Sequence, residues 1–156
     1  MAVEFKPKGY HSVTPYLALR DAAKAIEFYK KAFGAVEKFR MAGPDGKIGH
    51  AEIMIGDSTL MMAEETAPLD FHSPAKLGGS AVMLHVYVPD VDAFVKNAVA
   101  AGAKLTRAVE TQFYGDRGGS LVDPFGHMWY IATHVEDVPP EELESRAKAA
   151  KSGSGA

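Results

Sequence analysis

The strongest constraint on this chain is a repeat. Thr14 to Ala35 (TPYLALRDAAKAIEFYKKAFGA) and Val82 to Ala103 (VMLHVYVPDVDAFVKNAVAAGA) share one layout: an alternating strand, an aspartate, a helix and a glycine stop. Asp21 and Asp90 lie 69 residues apart, and Gly34 and Gly102 close their helices within one residue of the same offset. A chain that writes one supersecondary unit twice is built from two like modules. Half of 156 residues is marginal for an independent core, whereas the whole, at 47% hydrophobic residues, can bury one if the modules pack together.

Each module can be read further. Along Val13 to Arg20, Val13, Pro15, Leu17 and Leu19 alternate with Thr14, Tyr16, Ala18 and Arg20, which makes a strand with one apolar face. Asp21 is placed to accept hydrogen bonds from the first-turn amides of a helix, along which Ala22, Ala25, Ile26, Tyr29 and Phe33 form an apolar stripe. Gly34 supplies the left-handed stop. Three strands follow, Val36–Met41, Ile48–Gly56 and Thr59–Ala63, with turns at Pro44-Asp45-Gly46 and Gly56-Asp57. The second module repeats the order: strand 81–88, helix 91–101, then strands 104–110, 119–122 and 127–133, the last two joined by Asp123-Pro124-Phe125-Gly126. The predicted fold class is α+β, two tandem βαβββ modules forming a curved mixed sheet with helices on its outer face. Residues 1–12 read as an N-terminal arm, and residues 13–137 as one domain: module one 13–64, a Pro/Gly/Ser-rich linker 65–80 and module two 81–137. Residues 138–156 read as a C-terminal helix and tail, with Lys151 to Ala156 expected to be disordered. The linker is long enough for the modules to pair within a chain or with those of a second chain.

The alternation also sorts candidate site residues. In the strand from Ala81, the aliphatic Val82, Leu84, Val86 and Val88 face the helices, which turns Met83, His85 and Tyr87 the other way. The same parity puts Thr14, Tyr16, His50, Glu52, Met61 and Tyr130 on that second face. Such a trough suits an apolar or aromatic small molecule held by a few polar groups, although Met and Tyr on a sheet face also serve simply as core. His85 beside Tyr87 or Tyr130 is a candidate acid–base pair, because imidazole titrates near ~6.5. Arg117 is a candidate for a ligand carboxylate or phosphate, or alternatively for fixing its own hairpin. His127 follows a turn glycine, and a turn-stabilising role is expected of it. A net charge of −3 with no basic run argues against nucleic acid or an anionic membrane as partner. The absence of cysteine removes disulfides, thiolate metal sites and cysteine nucleophiles. No stretch has the length of a signal core or membrane span, so a cytoplasmic protein is expected.

Two βαβββ modules, each with an aspartate opening its helix, together with VDPFGHMWYIATH near the end of the second, resemble the glyoxalase, bleomycin-resistance and dioxygenase superfamily, also called vicinal oxygen chelate proteins. Within it, PYL, FYKKAFGA, GHAEI, YGDR and DPFGH resemble the wording of the PhnB-like branch. The resemblance implies four metal-ligand positions, which fall here on Thr14, Met61, Met83 and Tyr130. None of these suits a divalent ion that prefers imidazole and carboxylate. The expectation is therefore a pocket without cofactor in a homodimer, binding a small organic molecule by sequestration or as a carrier. Two alternatives stay open. One is a lyase, isomerase or dioxygenase using a His/Tyr pair or a relocated Zn, Ni, Mn or Fe site on His50, Glu52 and His85. The other is an interaction domain.

Overall fold

A computed structural model describes residues 2–153. Module one comprises β1 (Tyr16–Leu19), α1 (Ala22–Phe33), β2 (Val36–Ala42), β3 (Ile48–Ile55) and β4 (Ser58–Glu64). Module two comprises β5 (Met83–Tyr87), α3 (Val91–Ala101), β6 (Lys104–Thr111), β7 (Asp116–Val122) and β8 (Met128–His134). Each forms a four-stranded mixed sheet, ordered β1-β4-β3-β2 and β5-β8-β7-β6, in which the first strand runs parallel to the last. The βαβββ repeat is thus observed in both halves.

The helices begin and end where capping chemistry dictates. Asp21 and Asp90 accept from the amides of Lys24 and Ala93, at 3.3 and 3.0 Å. Gly34 adopts φ 64°, and its amide closes α1 onto the Tyr29 carbonyl. Asp21 itself sits at φ 63°, and the Glu64 carboxylate accepts from the Asp21 and Ala22 amides at 3.1 and 2.8 Å. The end of β4 therefore supplies a second cap for α1, a role the sequence pattern did not reveal.

The modules pair inside one chain through their helix sides. Phe33 of α1 stacks on Phe94 of α3 at 5.4 Å, and Asn97 of α3 donates to the carbonyls of Lys31 and Ala32 at 3.0 and 3.1 Å. Leu17, Leu19, Ile53 and Met62 from one sheet and Leu121, Trp129 and Ile131 from the other belong to a single buried cluster. At its centre the buried Asp123 carboxylate accepts from the Tyr29 hydroxyl and the Trp129 indole N–H, at 2.6 and 2.9 Å. His127 also bridges the modules, its Nε2 lying 3.0 Å from the Ala18 carbonyl, while its amide donates to Asp123 within the turn.

Several boundaries differ from the sequence reading. The strand predicted from Val13 begins only at Tyr16, after Pro15, which has no amide to donate to a ladder. β7 begins at Asp116 rather than Gly119, because Gly118 and Gly119, weak strand formers on their own, are held between β6 and β8. The linker contains a 3₁₀ turn (Ala67–Leu69) and a short helix, α2 (Pro74–Leu77), whose Ser73 cap is held by Glu65. Lys151 to Gly153, expected to be disordered, continue the last helix, α4 (Pro140–Gly153); residues 154–156 of that tail lie outside the described residues. No helix among the described residues is long and apolar enough to cross a membrane.

Candidate functional site

Strand register confirms the parity of the candidate residues. Tyr16 pairs with Met61 and Met61 with Glu52; His85 pairs with Tyr130, and Met83 with Met128. All these side chains lie on the face away from α1 and α3. The candidates do not form one group, however: Tyr16, His50, Glu52 and Met61 belong to module one, and Met83, His85, Tyr87 and Tyr130 to module two.

In module one the Tyr16 hydroxyl lies 2.6 Å from His50 Nδ1, and His50 Nε2 lies 3.1 Å from Glu52 Oε1. The other Glu52 oxygen accepts from the Tyr10 hydroxyl and faces Lys38 Nζ at 3.6 Å. Lys38 in turn sits 4.0 Å over the Tyr10 ring. The predicted N-terminal arm is thus strapped across this face, and Glu52 is only 4% exposed. Burial would raise the Glu52 carboxyl, but hydrogen bonds from Tyr10 and His50 and the Lys38 charge outweigh it and leave the group below its usual range. Burial, and then the Glu52 charge, push the Tyr16 phenol up, so it stays protonated near neutral pH. Beyond Tyr16 opens a groove of about 850 Å³, walled by Met41, Ile48, Ala63, Leu69 and Phe71, with Glu64, Glu65 and Lys47 at its polar margin. Ser73 and Arg20 hold the Glu65 carboxyl down at about 2, so it is ionised.

In module two the His85 ring lies 4.7 Å from that of Tyr87 and 4.9 Å from that of Tyr130. The candidate pair therefore meets ring against ring. The Tyr130 hydroxyl is 3.2 Å from that of Tyr114, and burial with this partner raises it to about 12. Tyr87 donates to Asp116 at 2.8 Å, and Asp116 and Asp137 accept from the two nitrogens of His134, at 2.7 and 2.8 Å. This hydrogen-bonded chain was missed in the sequence because the last strand was read as ending at Thr133, one residue before His134, and no spacing links Asp116 to either partner.

The two carboxylates, Asp116 first, raise the His134 pKa, so the imidazolium is favoured in the fold. A group whose folded pKa lies above its unfolded value of ~6.5 adds stability that is full below the unfolded value and is lost as pH rises through the folded one. Urea midpoints should therefore fall between pH 6 and pH 8, and His134→Asn should flatten that part of the profile. An unchanged slope in the variant would remove His134 as its source.

Arg117 does not join the site. It lies on the helix-facing side of β7, beside Thr133 of β8, and grips Asp92 of α3 through Nε and Nη2 at 2.8 and 2.9 Å. Parity explains the placement: Arg117 is one residue off the register of Asp116 and Gly118. Thr14 lies outside β1 and lines a cavity of about 380 Å³ between the modules with His11, Asp57, His85 and Tyr87.

The metal positions implied by the resemblance carry a hydroxyl, two thioethers and a phenol, which do not fit a divalent ion. Nor do His50, Glu52 and His85 assemble in the chain. Among the described residues no three His, Cys, Asp or Glu side chains are placed to hold a metal ion together, and both His50 nitrogens already have partners.

Comparison with known proteins fits this architecture. The model of the Glyoxalase/Bleomycin resistance protein/Dioxygenase superfamily matches residues 10–131. An uncharacterized protein of Mycobacterium bovis is 40% identical over 148 residues, covering 93% of this chain and 95% of that one. The crystallographic Arabidopsis thaliana gene product superposes with a TM-score of 0.63 at 28% identity, over 79% of this chain and 98% of its own. The Bacillus cereus PhnB protein superposes with a TM-score of 0.61 at 16% identity, over 79% and 99% of the two chains, a likeness of fold alone. Repeat, sheet order and family match agree, and the chain belongs to the glyoxalase/bleomycin resistance protein/dioxygenase superfamily.

Proposed function

We propose that the protein binds a small apolar or aromatic molecule in the module-one groove, as a sequestering or carrier protein of the PhnB-like branch, without a metal cofactor and in the cytoplasm. The observation that carries this reading is the groove itself. Its volume of about 850 Å³ accommodates a ligand of ordinary size. Its walls combine apolar side chains with a half-exposed phenol that can orient a polar group on the ligand. The PhnB-like assignment is supported by PYL, FYKKAFGA, GHAEI, YGDR and DPFGH in the sequence. The absence of imidazole or carboxylate at the implied metal positions supports a role independent of chelation.

Screening by ligand-observed NMR against small aromatic acids, phenols and amines tests the proposal. Met41 is 60% exposed, so Met41→Lys places a charge on the apolar wall with little cost to folding. It is expected to weaken an uncharged or cationic groove ligand tenfold or more, by desolvation or like-charge repulsion, and to tighten an acid, whose carboxylate it attracts. Ligands whose affinity is unchanged by Met41→Lys would place binding elsewhere and overturn the reading.

A homodimer is part of the same proposal. Phe39, Met83 and Tyr87 are 42, 45 and 62% exposed on the two sheet faces, an apolar surface suited to burial against a second copy. Light scattering should give twice the chain mass, and Tyr87→Glu should shift it toward the monomer. A monomeric parent at micromolar concentration would remove this part.

A further inference from the structure

We propose that Tyr16, His50 and Glu52 form a proton-transfer triad, which makes the wall of the groove a catalytic site for ligands carrying an acidic hydroxyl or an activated C–H. The inference rests on the groove reading only for where the ligand sits. The arrangement has the three parts that an activated oxygen needs: a hydroxyl within hydrogen-bond reach of a base, and a base oriented by a third group. The Tyr16 hydroxyl is 2.6 Å from His50 Nδ1, and Nε2 is 3.1 Å from Glu52 Oε1. Glu52 has no proton to give, so Nε2 carries the hydrogen and donates it to the carboxylate. That leaves Nδ1 as the acceptor for Tyr16.

The surroundings hold the triad in place. Tyr10 and Lys38 occupy the second Glu52 oxygen, and the Phe71 and Phe39 rings flank Tyr16 and His50, at 5.5 and 5.6 Å respectively. Tyr16 is 44% exposed and lines the groove, whereas His50 and Glu52 do not. A ligand in the groove therefore meets the phenol and not the base behind it.

The proton balance follows. The ligand's O–H or C–H bond breaks and its proton forms a new bond to the Tyr16 oxygen. In the same step the original Tyr16 proton passes to Nδ1. The ligand becomes an anion, His50 becomes an imidazolium facing the Glu52 carboxylate, and Tyr16 remains a neutral phenol. Run backwards, the same path protonates a ligand, which suits isomerisation or elimination.

Because no substrate is identified, the test uses a reagent that reports base-assisted reactivity of a phenol: 4-(2-aminoethyl)benzenesulfonyl fluoride. Its ring suits the apolar walls and its ammonium suits Glu64 and Glu65. The Tyr16 oxygen would attack sulfur, the S–F bond would break, fluoride would leave and the phenol proton would go to His50. Mass spectrometry of peptides is expected to show Tyr16 labelled at least tenfold faster than Tyr114, which is 37% exposed and whose hydroxyl meets that of Tyr130 rather than a base. His50→Ala should remove that advantage and Glu52→Gln should reduce it several-fold, each with an unchanged circular dichroism spectrum. Labelling of Tyr16 no faster than Tyr114, or a rate unaffected by His50→Ala, would overturn the triad. Concentration dependence separates the two readings. A His50-dependent rate that rises linearly with reagent upholds the triad while failing the groove, and a saturating rate indifferent to His50 does the reverse.

Discussion

Asp123→Ala is expected to lower stability by about 3–5 kcal/mol, enough to leave a protein of ordinary stability partly unfolded at 37 °C. Four donors converge on this carboxylate: the Tyr29 hydroxyl, the Trp129 indole, and the amides of Phe125 and His127 at 2.8 and 3.0 Å. Tyr29 and Trp129 are fully buried, so water cannot replace the lost acceptor. These two side-chain donors, once stranded, cost about 1–3 kcal/mol each and dominate the loss. Tyr29→Phe removes one donor and leaves the other three satisfied, so its cost should be nearer 1–2 kcal/mol. Urea unfolding followed by Trp129 fluorescence measures both. A shift of less than about 1 kcal/mol for Asp123→Ala would mean that the modules do not depend on this carboxylate for their joint core.

Gly115→Ala is expected to cost about 3 kcal/mol, against about 1 kcal/mol for Gly46→Ala. Both glycines have positive φ, 97° and 78°, where an L side chain is strained. A Cβ at Gly46 would meet nothing within 4 Å, whereas at Gly115 it would lie 2.1 Å from the Glu136 carbonyl oxygen. The clash is with backbone held close by two hydrogen bonds, because the Gly115 carbonyl accepts from Val135 and Glu136 at 2.9 and 3.1 Å. Relief would require the segment after β8 to lift off the β6–β7 turn. In thermal melts Gly46→Ala should lose a few degrees and Gly115→Ala roughly three times as much. Equal losses would show that the tail yields without cost.

The Gly115 prediction also bears on the YGDR stretch, whose Arg117 the sequence left open between a ligand anion and its own hairpin. Its glycine is required by a close backbone approach, its Asp116 joins Tyr87 to His134, and its Arg117 pairs with Asp92 on the opposite face. Three adjacent residues serve three structural tasks. The spacing alone carries no sign of which side of the sheet each one faces once the strand begins at Asp116 rather than Gly119.

What the sequence determined by itself was everything governed by short-range periodicity. The two βαβββ units, the Asp21 and Asp90 caps, the Gly34 stop and the shared face of Tyr16, His50, Glu52, His85 and Tyr130 follow from spacings of two and of three to four residues, which backbone geometry enforces locally. Tertiary structure decided the rest. It gathered the predicted trough residues into two separate contact groups, brought Tyr16 to His50 across 34 positions of sequence, and laid Tyr10 over Glu52 across 42. It also joined the modules through Tyr29 and Asp123, which are 94 residues apart. Such contacts have no period to read, because they arise when buried apolar faces choose a partner and polar groups trapped beside them must then be satisfied.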